Sequence, residues 1–591
     1  MNHAESLRIT APAPDLTTLF CCEPQVDDLA GWIMGLNMAN TPETAGQVRQ
    51  ACYELARLRA TPRERLALLE QMRPIVHYLC TRMDRSAGTH GDAVARMAQR
   101  LQSNLCAGYK AVIRDQLGDM AAGESADETL NLAVHRAVSD LSRTLLRTLQ
   151  FYVAPADHLW LELNQLYLLA EREGFASAVL EDPENHHRPM VSISALFLRA
   201  MLMATAKPNQ LRPGQLGKLF ASLELWADSA RVMPTAAGAL FAVDLDADQG
   251  PCYTAFLSVA REPRGLDTDR LVDQLERHLR NAPANIAMPE ALSQDLIQHL
   301  AAAWGGQQPR AQRRTSTAVP MKLCIGLRAI HHCLSGSTGL TDGTTGSAIP
   351  FRGDANPFLE AQAKREQRRS AQQPRDVWDD AFDVRTRSAK RTNIADPDLM
   401  LLQGPTRNRP GTEAESRSDC QIYDATAVDT SPGGYRVRWN DPLPAHLQTG
   451  ELAALRETAE ERWSVGVIRW IQQDGDGTAM GIELLSPRAV PVAVRQLRNR
   501  NGSPSYARGL LLPELRPIGQ PATLITPLSP FQPGQKVHVQ RRGAQSTALL
   551  MQSRHKTETF NQFTFQLLAG YLENVQATLK MADQQDMAVT R

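Results

Sequence analysis

From residue 41 to about 231, apolar residues recur at intervals of three and four, the spacing of one helix face. Leu66, Leu69, Met72, Ile75, Val76 and Leu79 form one such stripe, and similar stripes run through 93–117, 130–151, 159–173, 193–204 and 213–227. Thr41-Pro42-Glu43 and Thr61-Pro62-Arg63-Glu64 each set a capping hydroxyl ahead of a proline at the first helical position. Trp160 and Tyr167 open like a tetratricopeptide repeat that has no second copy, and are read as a buried aromatic pair on one helix. Helical hairpins or a short solenoid are expected over 41–304. Residues 1–40, mixed and Pro-containing, are expected to form a loosely held arm.

Pro234 and Gly238 break the helical run, and residues 240–245 and 253–259 predict a small β-hairpin insertion near 238–262. Asp244, Asp246 and Asp248 alternate between those strands. An EF-hand loop would need Gly and Glu where Gln249 and Ala255 stand, so a solvated hairpin tip is expected instead. Helices over 268–279 and 289–304 follow.

Residues 305–410 lose the periodicity, apart from an apolar run over 319–332 that reads as one strand or helix. The stretch 335–346 is rich in Gly, Ser and Thr, and 361–391 clusters Arg and Lys with few large apolar residues, which predicts a flexible Arg-rich linker. After Ser418 the period becomes two, predicting a β-barrel over 411–495. A second β-rich stretch over 504–591 has short strands divided by Pro, Gly and Asn turns, closed by a helix over 569–584. The expected fold class is multidomain α+β: a helical N-terminal region followed by two small β-domains.

Composition narrows the function classes. Lys+Arg and Asp+Glu are both 64, so any anion site must be local. The basic stretch 361–391 has only Trp378 and Phe382 as aromatics, so it is expected to be solvated and nucleic acid is not an expected partner. The nine cysteines are scattered without C-x-x-C spacing, which fits reduced thiols in a cytoplasmic protein. No signal peptide or membrane insertion is expected. There is no G-x-S-x-G elbow, phosphate loop, H-E-x-x-H or Rossmann glycine set. His331-His332-Cys333 and His186-His187 have no second cluster at zinc spacing. No enzyme activity, metal or cofactor is expected.

The most informative segment is Asp429-Thr430-Ser431-Pro432-Gly433-Gly434, followed by the alternation of Tyr435, Val437 and Trp439. By itself D-x-S-x-x-G reads as an Asx/Ser turn joining two strands. Residues 465–470 and 481–485 then supply two more strands around the loop 472–480. Turn, strand, strand, loop and strand in this order resemble the PilZ domain, the bacterial receptor module for cyclic di-GMP. The helical half, including Ala206-Lys207-Pro208-Asn209-Gln210-Leu211-Arg212, and the second β region resemble large proteobacterial PilZ-domain proteins.

The resemblance implies cyclic di-GMP as ligand, with Asp429 and Ser431 hydrogen-bonding a guanine edge and Gly434 keeping a β-carbon out of the ligand's way. It also implies an upstream R-x-x-x-R pair that grips phosphate. Here the chain departs from the pattern. Arg387 and Arg391 have the right spacing but lie far ahead of Asp429, whereas Arg407 and Arg409 lie close but are wrongly spaced. The same spacing recurs at Arg59/Arg63, Arg310/Arg314 and Arg365/Arg369. Arg387, Arg391, Arg407 and Arg409 are the expected phosphate ligands. Arg469, Trp470, Gly466 and Gly481 are assigned to barrel strands without ligand contact. A cytoplasmic receptor that relays nucleotide binding to a protein partner through its helical half is the first expectation. A nucleotide-independent adaptor with a degenerate PilZ barrel is the second.

Overall fold

The computed structural model describes residues 7–335 and 421–570, apart from short breaks. These fall at 91, 120–126, 258–262, 291, 307–314, 432, 440–443, 445–446, 458–461, 475–476, 498–505, 515–519 and 542–543. Among the described residues the chain divides into two compact units, one lying before residue 310 and the other containing both β-domains.

The first unit is built from helices α1 (Val26–Met34), α2 (Thr41–Arg57), α3 (Pro62–His90), α4 (Asp92–Asp119), α5 (Glu128–Gln150) and α6 (Leu159–Arg172). A short ribbon of β1 (Val179–Glu181) and β2 (Met190–Ser192) precedes α7 (Ile193–Thr205) and α8 (Pro213–Trp226). Helices α2, α3 and α4 pack against one another, and α5 packs on α4 and α7. The apolar stripe expected on α3 is the buried one: Leu66, Leu69, Met72, Val76 and Leu79 all lie in the core. Thr61 and Glu64 close a capping box at the start of α3, with Glu64 N donating to Thr61 Oγ1 at 3.3 Å and Thr61 N donating to Glu64 Oε2 at 3.0 Å.

Residues 19–36 are not a loose arm. Leu19, Leu29 and Leu36 are buried in the helical core, and α1 is amphipathic enough to bring them there. The insertion near 238–262 is likewise more than a hairpin. A four-stranded sheet is ordered β3 (Arg231–Met233), β6 (Arg264–Asp267), β4 (Phe241–Val243) and β5 (Cys252–Tyr253). Its Asp-rich turn is exposed, as expected, but it is also tied to the helices. His158 N and Leu161 N donate to the Asp248 carboxylate at 2.8 and 3.0 Å, so Asp248 caps α6 from a distant part of the chain. Tyr167 stacks on Phe197 with ring centroids 4.1 Å apart, rather than pairing with Trp160. Helices α9 (Asp269–Leu279) and α10 (Gln294–Gly305) complete the unit.

A charge network lies inside these helices. Arg73 on α3 donates to Asp140 at 2.8 Å and to Asp182 at 3.2 Å, and Ser139 Oγ donates to Asp182 at 2.8 Å. All four side chains are buried. His77 Nε2 lies 3.3 Å from the Asp140 carboxylate without hydrogen-bonding geometry. Burial, reinforced by the charge of Arg73, lowers the His77 pKa to about 3 and keeps the ring neutral.

The second unit contains two closed six-stranded antiparallel barrels. The first joins β7 (Thr315–Ile325), β8 (Ile422–Ser431), β9 (Gly434–Trp439), β10 (Leu452–Arg456), β11 (Ser464–Asp474) and β12 (Gly477–Ser486). The strand order is β10-β11-β12-β9-β8-β7, and β7 pairs back onto β10 to close it. This corrects the expected linker over 305–410, because β7 lies inside that stretch and supplies the closing strand. The helix α11 (Leu327–Ser335) and residues 336–420 separate β7 from its partner β8. Loop-closure entropy grows only logarithmically with length, so such an insertion is tolerated between paired strands.

The second barrel joins β13 (Val490–Gln496), β14 (Ala507–Leu512), β15 (Thr523–Pro527), β16 (Lys536–Arg541), β17 (Ala544–Lys556) and β18 (Phe560–Gly570), and β13 pairs with β16 to close it. It begins at Val490, earlier than the expected 504, because β13 pairs with β14 and β16 rather than with the first barrel. Ala569 and Gly570 end β18, and the rest of the helix expected over 569–584 lies outside the described residues.

The two barrels share an apolar layer. Leu452, Ala454, Val465 and Val467 of the first meet Leu510, Leu512, Ile525 and Phe560 of the second, with Ile330 of α11 between them. His331 Nε2 reaches Val492 O at 3.2 Å from the same helix.

Candidate ligand-binding face of the first barrel

The β8–β9 hairpin fixes where the turn motif points. Ser431 pairs with Gly434, Thr430 with Tyr435 and Asp429 with Arg436. A two-residue connection therefore sets the acid opposite the arginine. Ser431 Oγ donates to Gly434 O at 3.4 Å, and Leu484 N donates to Gly433 O at 2.9 Å, which ties the turn to β12. A Cβ on Gly434 would stand 2.0 Å from Ile482 O and 3.1 Å from Glu483 Cα. Close strand packing by itself requires a glycine here.

Val437 and Trp439 are fully buried inside the barrel, with the Trp439 ring 4.5 Å from that of Tyr423. The alternation of the strand sends Arg436 to the outer face. There a row runs across four strands in register: Asp429 pairs with Arg436, Arg436 with Gly481, and Gly481 with Trp470. Three inter-strand steps of about 4.8 Å make the row roughly 14 Å long. Arg436 Nη1 is 4.0 Å from Asp429 Oδ2, with side-chain exposures of 39% and 17%. The Arg436 guanidinium lies 5.9 Å from the centre of the Trp470 ring. A Cβ on Gly481 would stand 2.0 Å from Trp470 Nε1, so the absence of a side chain there is what lets the indole lie against the sheet.

A second ion pair borders the turn. Glu483 pairs in register with Gly434, and its carboxylate accepts from Arg469 Nε. Arg469 is the residue added at the β11 bulge between Ile468 and Trp470. Its Nη2 donates to His555 Nε2, on β17 of the second barrel, at 3.4 Å. Burial, with the nearby charge of Arg469, lowers the His555 pKa, which favours the neutral ring as acceptor.

Three family models match in succession: the FimW N-terminal domain over 27–236, the middle PilZ domain of cyclic-di-GMP receptor FimW over 240–491, and the FimW C-terminal beta-barrel domain over 492–568. A Pseudomonas aeruginosa protein named cyclic-di-GMP receptor FimW is 32% identical over 594 residues, covering 95% of this chain and 94% of its own length. The chain belongs to the FimW family. No solved structure matches it. The middle FimW model ends at 491, one residue after β13 begins the second barrel at Val490, and the C-terminal model ends at 568, within β18. The FimW models thus bear out the PilZ resemblance, as well as a helical region ahead of two barrels.

Of the expected site residues, Asp429, Ser431 and Gly434 stand together at one hairpin. Arg387, Arg391, Arg407 and Arg409 lie outside the described residues. The sequence does not show that Arg436 and Trp470 share a row with Asp429, although the outward parity of Arg436 is visible beside the inward Val437 and Trp439. Among the described residues, no three His, Cys, Asp or Glu side chains are grouped to hold a metal ion. Among them, too, no helix is long and apolar enough to cross a membrane.

Proposed function

We propose that this chain is a cyclic di-GMP receptor, a binding protein rather than an enzyme, with its nucleotide site on the outer face of the first barrel. The observation that carries the reading is the in-register row of Asp429, Arg436 and Trp470 at the turn motif. The name of the Pseudomonas aeruginosa relative supports the same ligand.

The residues suit the ligand's chemistry. A guanine edge presents N–H donors, and the Asp429 carboxylate is acceptor-only. The Ser431 hydroxyl both donates and accepts. The Trp470 indole, held against Gly481, offers a flat surface on which a purine stacks. The phosphodiesters need cations, and Arg387, Arg391, Arg407 and Arg409 are the linker groups proposed for that role. In this account the protein works in the cytoplasm, and nucleotide binding at the barrel is relayed to a protein partner through the helical half.

Calorimetric titration of the whole chain with cyclic di-GMP tests the reading. Saturable heat at micromolar nucleotide is expected, with binding lost in Asp429→Ala. A partner captured equally well with and without nucleotide would favour the adaptor reading instead.

A further inference from the structure

We propose that Arg436 and Arg469, carried by the barrel itself, are phosphate-gripping groups of the nucleotide site, with His555 of the second barrel positioning Arg469. The proposal rests on the receptor reading above and adds the groups that would hold the ligand's charge.

Two guanidinium groups flank the turn. Arg436 stands opposite Asp429, and Arg469 is paired with Glu483, which lies opposite Gly434. Each arginine side chain is 39% exposed, open enough to meet a ligand yet held by a carboxylate in advance. Arg436 and Gly434 are two residues apart along β9, so the two charge pairs sit about 7 Å apart in the strand direction. Arg436 on β9 and Arg469 on β11 are also separated across the sheet by β12, about two inter-strand steps of roughly 4.8 Å, and a cyclic dinucleotide carries two separate phosphodiesters for two such cations to serve.

The Arg436 pair is poised for exchange. Its Nη1 is 4.0 Å from the Asp429 oxygen, beyond hydrogen-bonding distance, and its buried Nε has no hydrogen-bond partner. A guanidinium has five N–H donors in a fixed fork that matches phosphate oxygens. A guanine edge that takes Asp429 and a phosphate that takes Arg436 replace both halves of the ion pair together. Neither charge is then stranded beside the sheet.

The Arg469 arm brings in the second barrel. Glu483 engages Nε and the neutral His555 ring accepts from Nη2, which orients the fork while leaving donors unused. His555 acts through Arg469 and is a positioning residue. Thr559 Oγ1, near His555 at the β17–β18 turn, reaches Gly450 O of the first barrel at 3.4 Å, which helps fix this corner.

The test is calorimetric titration of the full chain with cyclic di-GMP, with thermal unfolding as a control for folding. Arg436→Ala and Arg469→Ala are each expected to weaken binding at least tenfold. Arg436→Lys, which keeps the charge and loses the fork, should fall between wild type and Arg436→Ala. His555→Ala should weaken binding a few fold, His555→Gln should restore most of it, and His555→Ala should add nothing to Arg469→Ala. A chain with Arg387, Arg391, Arg407 and Arg409 all changed to Ala should keep measurable binding. Wild-type affinity in both barrel variants, with binding still lost in Asp429→Ala, would overturn this proposal and leave the receptor reading standing. No binding by the wild-type chain would overturn both.

Discussion

Asp429 and Arg436 face each other across the β8–β9 hairpin with their charged groups 4.0 Å apart, and Trp470 closes the same row two strands further on. The turn motif is therefore the visible end of a longer surface. Acid, guanidinium and indole present hydrogen-bond acceptors, a cation and a stacking plane in sequence across the sheet.

Trp470→Ala is expected to weaken cyclic di-GMP binding by about 1–3 kcal/mol, the usual worth of a base stacked on an aromatic ring. Trp470→Phe should recover part of the loss. The thermal midpoint should move little, because the indole is half-exposed. Titration of both variants beside the wild type measures this.

Gly434→Ala should destabilise the second unit by about 1–3 kcal/mol, the typical cost of forcing extra atoms into a packed region. The cause is local: the added Cβ would overlap Ile482 O. For a unit of this size each kcal/mol lowers the unfolding midpoint by about 2–4 °C. Thermal unfolding measured without nucleotide separates this packing effect from any effect on binding.

Asp140→Ala should cost the helical unit about 3–5 kcal/mol, because it leaves the buried Arg73 with half of its ionic partners. Denaturant unfolding followed by far-ultraviolet circular dichroism reads this directly. The first barrel makes no part of this network, so nucleotide binding should survive wherever the protein remains folded.

The same network predicts a pH dependence. An unfolded histidine protonates near 6.5, whereas buried His77 holds out until about 3 and buried His135 until about 4. Between those values the unfolded chain binds protons that the folded chain refuses, so stability falls as pH falls from about 6.5. Burial pushes the Asp140 carboxyl up, but the charge of Arg73 outweighs it and holds the pKa below the ordinary value. Its contribution is lost in the same direction, below the ordinary carboxylate range. Thermal midpoints measured from pH 7 down to pH 5 should decline, and His77→Asn should decline less steeply.

The parts of this fold that repeat locally were legible. The α3 stripe of Leu69, Met72, Val76 and Leu79 needs only a period of 3.6 to be recognised, and it is the buried face. What the sequence hid were relations between distant segments. β7 reads as an isolated apolar run until β8 is known to lie beside it beyond residue 420. Asp248 looks like part of a polar tip until α6 supplies the amides it caps. At the site, the motif pointed to Asp429 and Ser431, whereas Arg436 follows only from counting register through the two-residue hairpin connection. Trp470 requires two further registers, the second of them across the β11 bulge.

The outer face around Asp429 is the surface proposed to bind cyclic di-GMP, and calorimetric titration of the wild-type chain beside Asp429→Ala is the decisive measurement. The Asp429–Arg436 contact is long, at 4.0 Å, and its arginine is 39% exposed, so the pair should be worth no more than about 1 kcal/mol of stability and the variant should stay folded. Saturable micromolar binding by the wild type is expected, and its loss in the variant at an unchanged unfolding midpoint. Absence of heat with the wild-type chain, or equal binding by both proteins, would contradict it.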